Sequence, residues 1–294
     1  MKKTRNPLLM GILLVIADSF FFSLMSLMVR LSGDLPTMEK AFFRNAIASV
    51  VAIITLARSD EKFHIQKGSL PDLFKRAIFG TIGLCCNFWA VDHIGLADAN
   101  ILNKMSPFFA ILFSVWILGE VPNAIEVLTL VAAFIGAAFV VKPTMGAAML
   151  PALVGLIGGC SAGVAYTFVR RLGKKGERGP VIVAFFSIFS CLFTLPFMIA
   201  GFEPMTARQL ICLLLAGIFA AGGQFTVTAA YRFAPAKTIS VFDYSQVLFA
   251  SLWGFLIFDE LPDHWSVIGY VIIVGMAVLK WVYTIRADAK PAQT

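Results

Sequence analysis

Three ionisable side chains lie within stretches of sequence that are otherwise apolar, and they are the residues best suited to binding chemistry. Asp18, Lys104 and Asp243 each interrupt such a stretch. A charged side chain in hydrocarbon costs about 3 kcal/mol on insertion scales, so it requires a partner or a water-lined cavity. We interpret Asp18 as a cavity carboxylate that binds a cationic group or a proton. The alternative is a carboxylate neutralised by a neighbouring helix.

Lys104 belongs to a polar stripe. Asn100, Asn103 and Lys104 are spaced i, i+3, i+4, so on a helix all three share one face. A polar stripe of this kind is unfavourable against lipid, so we expect it to face the interior. Lys104 would there bind a carboxylate or phosphate of a substrate, or form a structural salt bridge with Asp18 or Asp243. Both interpretations remain open at this point.

Further polar residues occupy related positions. Asp243 and Tyr244 follow Asn103 and Lys104 by 140 residues. Asp243 is predicted to contact the substrate, and the alternative is a first-turn carboxylate stabilised by the helix dipole.

Arg44 lies some six residues into its apolar stretch, where it either faces the cavity as a fixed charge or extends outward to the interface. Asn87 and Gln224 occupy matching places in the two halves and could bind substrate or join helices. The predicted substrate-binding residues are Asp18, Arg44, Asn87, Asn100, Asn103, Lys104, Gln224, Asp243 and Tyr244.

Catalytic and metal chemistry is not indicated. The five cysteines all lie in apolar runs without zinc-ligand spacing, and no His, Cys and carboxylate cluster suits a metal. No nucleotide-binding motif with the required spacing is present. We therefore predict a protein that is not an enzyme and that uses no metal and no cofactor.

The elements that must position these residues are membrane helices. The chain of 294 residues is 59% hydrophobic and only 14% charged, with a mean hydropathy of +0.84. A water-soluble domain has about a quarter charged residues, so a soluble enzyme and a disordered chain are both excluded. A bilayer needs about 20 apolar residues per helix. The sequence predicts an all-α integral membrane protein with ten transmembrane helices, at 8–29, 38–57, 77–92, 96–118, 123–141, 149–169, 180–200, 209–231, 238–258 and 265–285.

An internal repeat divides these helices into two sets of five. Val29-Arg30 and Val169-Arg170 end equivalent helices 140 residues apart, and so do Gly119-Glu120 and Asp259-Glu260. An odd number of helices inverts the second repeat, an architecture found in many secondary transporters. We expect a first repeat at 1–145 and an inverted second repeat at 146–294.

These features resemble the drug/metabolite transporter superfamily, and its ten-helix EamA-type branch in particular. The resemblance implies transport of a metabolite by alternating access, without naming the metabolite. One departure is Val247, which stands where the first repeat has Pro107, so a bend of that helix is not predicted. Alternatives of a different class are a multispan membrane enzyme and a channel-like protein. The motifs are Leu118-Gly119-Glu120, Asp259-Glu260, Pro107 before Glu120, Phe42-Phe43-Arg44-Asn45, Ala229 to Ala236, and Phe242-Asp243-Tyr244.

The basic residues indicate orientation and partners. Of 24 Lys and Arg residues, 18 lie in segments on one side of the predicted membrane and 3 on the other. The positive-inside rule then places both termini in the cytoplasm and the protein in the inner (cytoplasmic) membrane. This distribution explains the net charge of +7 without a nucleic-acid partner. The expected partners are the lipid bilayer and a small polar, zwitterionic or anionic solute, and a homodimer remains open.

We predict that reporter fusions after residue 64 will report a cytoplasmic location and that fusions after residue 145 will report an external one. The reason is the bias of the basic residues. Paired alkaline phosphatase and fluorescent protein fusions measure both. The opposite result at both points would remove the argument for an inverted repeat.

Overall fold

A computed structural model describes residues 7–58, 64–141, 149–233 and 240–289, and within these ranges the structure is helical without strands. The predicted repeat boundary and the two chain ends lie outside the described residues. The helices are α1 (Pro7–Leu31), α2 (Thr37–Ala57), α3 (Leu70–His93), α4 (Leu96–Asn103), α5 (Ser106–Leu118), α6 (Ala124–Val141), α7 (Met149–Lys174), α8 (Gly179–Ala200), α9 (Ala207–Phe233), a 3₁₀ helix (Ser240–Tyr244), α10 (Ser245–Phe258) and α11 (His264–Ala289).

The helices form a multi-pass membrane bundle. Over the described part of the chain, nine helices are long and apolar enough to cross a bilayer, with α4 and α5 counted as one. Large apolar side chains cover the outside of the bundle, where Leu248 is 72% exposed and Val271 is 67% exposed. Such a surface requires lipid rather than water. The tenth helix is α3, which carries charges near both ends and begins at Leu70 rather than at the expected residue 77.

Two of the predicted helices are interrupted, at equivalent places in the two repeats. The predicted helix 96–118 is divided into α4 and α5 at Lys104 and Met105. Pro107 has no N–H, so the ladder of backbone hydrogen bonds fails there. The predicted helix 238–258 changes from 3₁₀ to α geometry after Tyr244. This second interruption forms without a proline, so the sequence comparison of Pro107 with Val247 missed it.

The helix contacts follow the inverted repeat. Helix α1 packs most extensively against α9, and the equivalent helices α7 and α3 pack against each other in the same way. Helices α2 and α8 form another contact, as do α6 and α11. When the two repeats are exchanged, the contact of α1 with α9 becomes the contact of α7 with α3. The contacts of α2 with α8 and of α6 with α11 are unchanged by the exchange. The interrupted helices therefore meet the rest of the bundle near the pseudo-twofold axis.

Close packing along α7 depends on glycine. Gly155, Gly159 and Gly163 face the segment that contains α4 and α5. A Cβ atom at Gly163 would lie 2.5 Å from the Cβ atom of Phe109 and 2.8 Å from the carbonyl oxygen of Ser106. A Cβ atom at Gly159 would collide with the carbonyl oxygen of Leu102. These three glycines let α7 approach the backbone on both sides of the interruption between α4 and α5.

We predict that Gly163→Ala will destabilise the purified protein by about 1–3 kcal/mol, because the added methyl group overpacks this contact. Thermal unfolding in detergent measures the change. The matched control is Gly173→Ala on the same helix, where an added Cβ meets nothing within 4 Å. The control should be neutral or slightly stabilising, since alanine favours a helix more than glycine does. Equal effects of the two substitutions would contradict the packing argument.

Candidate substrate-binding site

An ion pair between the two repeats lies at the centre of the site. Lys104 Nζ is 2.6 Å from Asp243 Oδ2, and their side chains are 11% and 33% exposed. Lys104 occupies the interruption between α4 and α5, and Asp243 lies in the 3₁₀ helix of the other repeat. The structure therefore brings together residues from two segments that correspond under the repeat. Asp243 is a partner of Lys104 rather than only a first-turn carboxylate.

Helix α1 adds a second carboxylate beside this pair. Ser19 Oγ lies 3.1 Å from the backbone carbonyl oxygen of Asp243 and 3.3 Å from its Oδ1. Asp18 is 2% exposed and lies within electrostatic range of both Asp243 and Lys104. Its Oδ1 atom is buried and has no hydrogen-bond partner. Two carboxylates thus share one lysine, and a buried oxygen of Asp18 remains available to a donor.

Tyr244 links the second repeat to the interruption between α4 and α5, and its contact with a substrate stays a prediction. Its hydroxyl group donates a hydrogen bond of 3.0 Å to the carbonyl oxygen of Lys104. In a regular helix Phe108 N–H would serve that oxygen, but here it donates to Met105 at 3.0 Å. The hydroxyl group replaces the missing backbone donor across the repeat interface. Asn103, adjacent to Lys104, is half-buried.

Asn100 joins three helices. Its Oδ1 atom accepts hydrogen bonds from Gln246 Nε2 of α10 and, at 3.4 Å, from Ser26 Oγ of α1. Its Nδ2 atom donates to the carbonyl oxygen of Leu96 at 2.7 Å. These contacts occupy the amide oxygen and one of the two amide N–H groups, and they hold three helices together. Substrate binding by Asn100 stays a prediction.

The remaining predicted residues lie apart from the ion pair. Arg44 Nη1 donates to Asn45 Oδ1 at 2.7 Å, on the side of α2 that faces α8. Asn87 of α3 is buried, and its Oδ1 atom has no partner. Gln224 of α9 is half-buried and has an interaction partner. The structure therefore places Arg44 and Asn87 on α2 and α3 and Gln224 on α9, outside the interrupted helices that carry the ion pair.

Several residues of the site were missed by the sequence argument. Ser19, Ser23 and Ser26 are fully buried along α1, and their i, i+4, i+7 spacing was the signal that could have revealed them. Tyr166 of α7 lies within electrostatic range of Lys104, Asp243 and Asp18. The residue is 53% exposed. A single tyrosine in an apolar helix carries no periodic signal.

Repeat-related ion pairs lie at the two ends of the bundle. At the predicted outer end, Arg30 pairs with Glu260 and donates to the carbonyl oxygen of Ile94 at 2.7 Å. At the predicted cytoplasmic end, Arg170 lies 3.0 Å from Glu120. Arg170 and Glu120 are the repeat equivalents of Arg30 and Glu260. The side chain of Arg30 is 18% exposed and that of Arg170 is 61% exposed, whereas Glu260 and Glu120 are 30% and 28% exposed, so the two ends differ in the enclosure of the arginine.

Metal-binding chemistry has no support in the described ranges, where no three His, Cys, Asp or Glu residues are grouped as metal ligands. The site instead offers carboxylates, ammonium and hydroxyl groups between two halves of a membrane bundle. Interrupted helices that place such groups near the repeat interface are typical of secondary transporters. These features define the class as a multi-pass membrane protein built for solute transport.

Comparison with known proteins agrees with this class. The EamA-like transporter family matches the chain twice, over residues 9–142 and 149–280. The chain therefore belongs to the EamA-like transporter family, and its function is membrane transport.

Named relatives and a solved structure extend the comparison. The chain is 35% identical to the pseudopaline exporter CntI of Pseudomonas aeruginosa over 268 residues, which is 90% of this chain and 93% of the relative. It is 24% identical to human solute carrier family 35 member G1, over 92% of this chain and 80% of the relative. One crystal structure of 17% identity has a TM-score of 0.66 and covers 95% of this chain and 99% of that chain, which supports the fold.

We predict that Lys104→Gln will abolish solute transport and destabilise the protein, because it leaves Asp243 without its cation. Breaking a fully buried pair costs about 3–5 kcal/mol, and the partial exposure of Asp243 reduces that cost. Expression level and thermal unfolding measure stability, and uptake into proteoliposomes measures transport. The double variant Lys104→Gln/Asp243→Asn should recover stability without recovering transport.

The control for this experiment is Lys174→Gln. Lys174 pairs with Glu120 at 2.8 Å, but its side chain is 55% exposed. An exposed pair contributes about 0–1 kcal/mol, so this variant should remain stable. A Lys104→Gln protein that is stable and transports normally would contradict the assignment of Lys104 to the site.

Proposed function

We propose that this protein is a secondary transporter that moves a small polar metabolite across the cytoplasmic membrane by alternating access. The observation that carries the proposal is the meeting of Lys104 and Asp243 from opposite repeats, 2.6 Å apart in the membrane interior. A charge pair whose two members come from the two halves changes its surroundings whenever the halves rock against each other. A solute bound there would be exposed to each side in turn.

The charges of the site favour a polar substrate with a cationic group and an anionic group. Lys104 attracts anions, and the unpartnered Oδ1 atom of Asp18 suits an ammonium group or a proton. A lipophilic cation would leave Lys104 opposed to a like charge. The proposed substrate is therefore zwitterionic or anionic rather than a simple cation.

Asp18 is the proposed coupling residue. A buried carboxylate that lacks its own cation is stable when it is protonated or when it binds an ammonium group. Exchange of a proton for the substrate at Asp18 would link transport to the proton gradient. No step of this cycle requires ATP.

The direction we propose is export. The relative of 35% identity is named as an exporter, and it aligns along 90% of this chain. The tighter enclosure of Arg30 than of Arg170 supports a resting state that is closed at the predicted outer end and receives its solute from the cytoplasm.

Transport by purified protein tests this function directly. We expect proteoliposomes with a pH gradient and no ATP to accumulate selected compounds from an isotope-labelled extract of polar bacterial metabolites, as measured by mass spectrometry. Asp18→Asn should lose gradient-driven accumulation at least about tenfold, because loss of one charged hydrogen bond costs about 1.5–3 kcal/mol.

Asp34→Asn is the matched control, because Asp34 is exposed in the loop after α1. It should accumulate the same compounds as the unmodified protein. Strict dependence of transport on ATP would defeat the proposed function. Equal accumulation by Asp18→Asn and the unmodified protein would remove the coupling role of Asp18.

A further inference from the structure

Two arginine side chains reach the interior without a carboxylate partner. Arg44 of α2 is 4% exposed, and Arg76 of α3 is half-buried. Within the ranges the structure describes, neither guanidinium group forms a salt bridge, and the Nε atom of each is buried without a hydrogen-bond partner. Two unneutralised cations in a membrane interior are unfavourable unless a ligand supplies the missing charge.

The two guanidinium groups are both oriented by contacts that involve helix α8. Arg44 and Arg76 lie within electrostatic range of each other and repel. Arg76 is held with its guanidinium carbon 3.9 Å from the ring centre of Phe186 on α8. Arg44 is oriented by Asn45, whose Nδ2 atom donates to Ser190 Oγ of α8 at 2.9 Å. Helix α8 thus contacts Arg76 directly and orients Arg44 through Asn45. Within the described residues, neither guanidinium group has a counter-ion.

The free edge of Arg44 has a specific chemistry. Its Nη1 atom is occupied by Asn45 Oδ1 at 2.7 Å, whereas its Nε atom is unpartnered. The Nε side of a guanidinium group offers two parallel donors, which match the two oxygens of a carboxylate. Arg76 leaves the same Nε atom free. The pair is therefore prepared for an anion with planar oxygen pairs.

Tyr166 connects this pair to the central site. It lies within electrostatic range of Arg76 and Arg44, as well as of Lys104, Asp243 and Asp18. The residue is 53% exposed, so a solute can reach it. A single elongated solute could therefore contact the arginine pair and Asp18 together.

We propose that Arg44 and Arg76 form a carboxylate-binding subsite of the transport cavity, and that the substrate is an amine bearing at least two carboxylates. This inference rests on the proposed function and names its substrate class. The three cations Arg44, Arg76 and Lys104 outnumber the carboxylates Asp18 and Asp243 by one. A solute with one ammonium group and two carboxylates carries one net negative charge and balances that excess. Its ammonium group would bind Asp18.

The test uses a series of probes that differ by one group. Aspartate, glutamate, 2-aminoadipate and 2-aminopimelate carry an amine and two carboxylates over increasing length. Their ω-amides lack one carboxylate, and the parent dicarboxylates lack the amine. Binding to the purified full-length protein is measured by thermal shift. We expect at least one member to bind about tenfold more tightly than its ω-amide, the effect of one charge-assisted hydrogen-bond pair.

Substitutions of Arg44 and Arg76 distinguish a substrate-binding role of these residues from a structural one. In Arg76→Gln and Arg44→Gln, an amine-bearing diacid should bind only about onefold to twofold more tightly than its ω-amide. Both variants should still bind the amine-bearing diacids more tightly than the parent dicarboxylates. Arg76→Lys keeps the charge but not the planar donors, so it should recover only part of the preference. Arg58→Gln, at the exposed end of α2, is the matched control and should leave every preference unchanged.

Stability without solute gives an independent measurement. Removal of one of two unpaired, repelling cations should leave the unfolding temperature of Arg76→Gln equal to or above that of the unmodified protein. A large fall would show that the guanidinium group is a structural partner and would overturn the subsite. Equal binding of the diacids and their ω-amides would also overturn it. Tighter binding of O-phosphoserine than of every diacid would overturn the carboxylate assignment.

Failure of this inference is distinguishable from failure of the proposed function. If proteoliposomes accumulate solutes from the labelled extract while no member of the probe series binds, the substrate class is wrong and the transport function stands. If the series binds and loses its preference in Arg76→Gln while no solute is transported, the subsite stands and the transport function fails.

Discussion

The structure depends on one interaction, the ion pair of Lys104 and Asp243 across the repeat interface. An ion pair in the membrane interior is stable only when further hydrogen bonds support it. Ser19 supports Asp243, and the Tyr244 hydroxyl group supports the carbonyl oxygen freed beside Lys104. The interruption of the two helices is therefore part of the same arrangement. Both helices must lose regular geometry for their polar groups to reach the axis between the repeats.

In the proposed alternating-access mechanism, the inverted repeat gives the bundle two equivalent states. Arg30 with Glu260 and Arg170 with Glu120 are the same pair placed at opposite ends. One conformation encloses the first pair more than the second. Because the halves are related in sequence, the reverse conformation can enclose the second pair by the same contacts. Two states built from related contacts have similar free energies, so the differential binding of a solute or a proton is sufficient to shift their populations.

The sequence predicted more of this architecture than of the site. Hydropathy and the 140-residue repeat predicted the helical membrane fold. The convergence of Lys104 and Asp243 followed from the repeat as well, since both positions approach one axis. Charge placement was less informative. Arg76 was counted with the loop before residue 77, although it lies in α3, because a helix that packs inside a bundle tolerates charges that a lipid-facing helix does not.

The missed interruption at Tyr244 shows why tertiary contacts decide such features. Pro107 breaks the first helix by local chemistry, and Val247 in the second repeat has no such effect. At the first interruption, the carbonyl oxygen of Lys104 accepts a hydrogen bond of 3.0 Å from Tyr244, a residue 140 positions away in the other repeat. The irregular backbone of one repeat is thus satisfied by a side chain of the other. The first interruption is therefore completed by the second repeat, and a substrate bound at the proposed site would contact both halves where their helices are irregular.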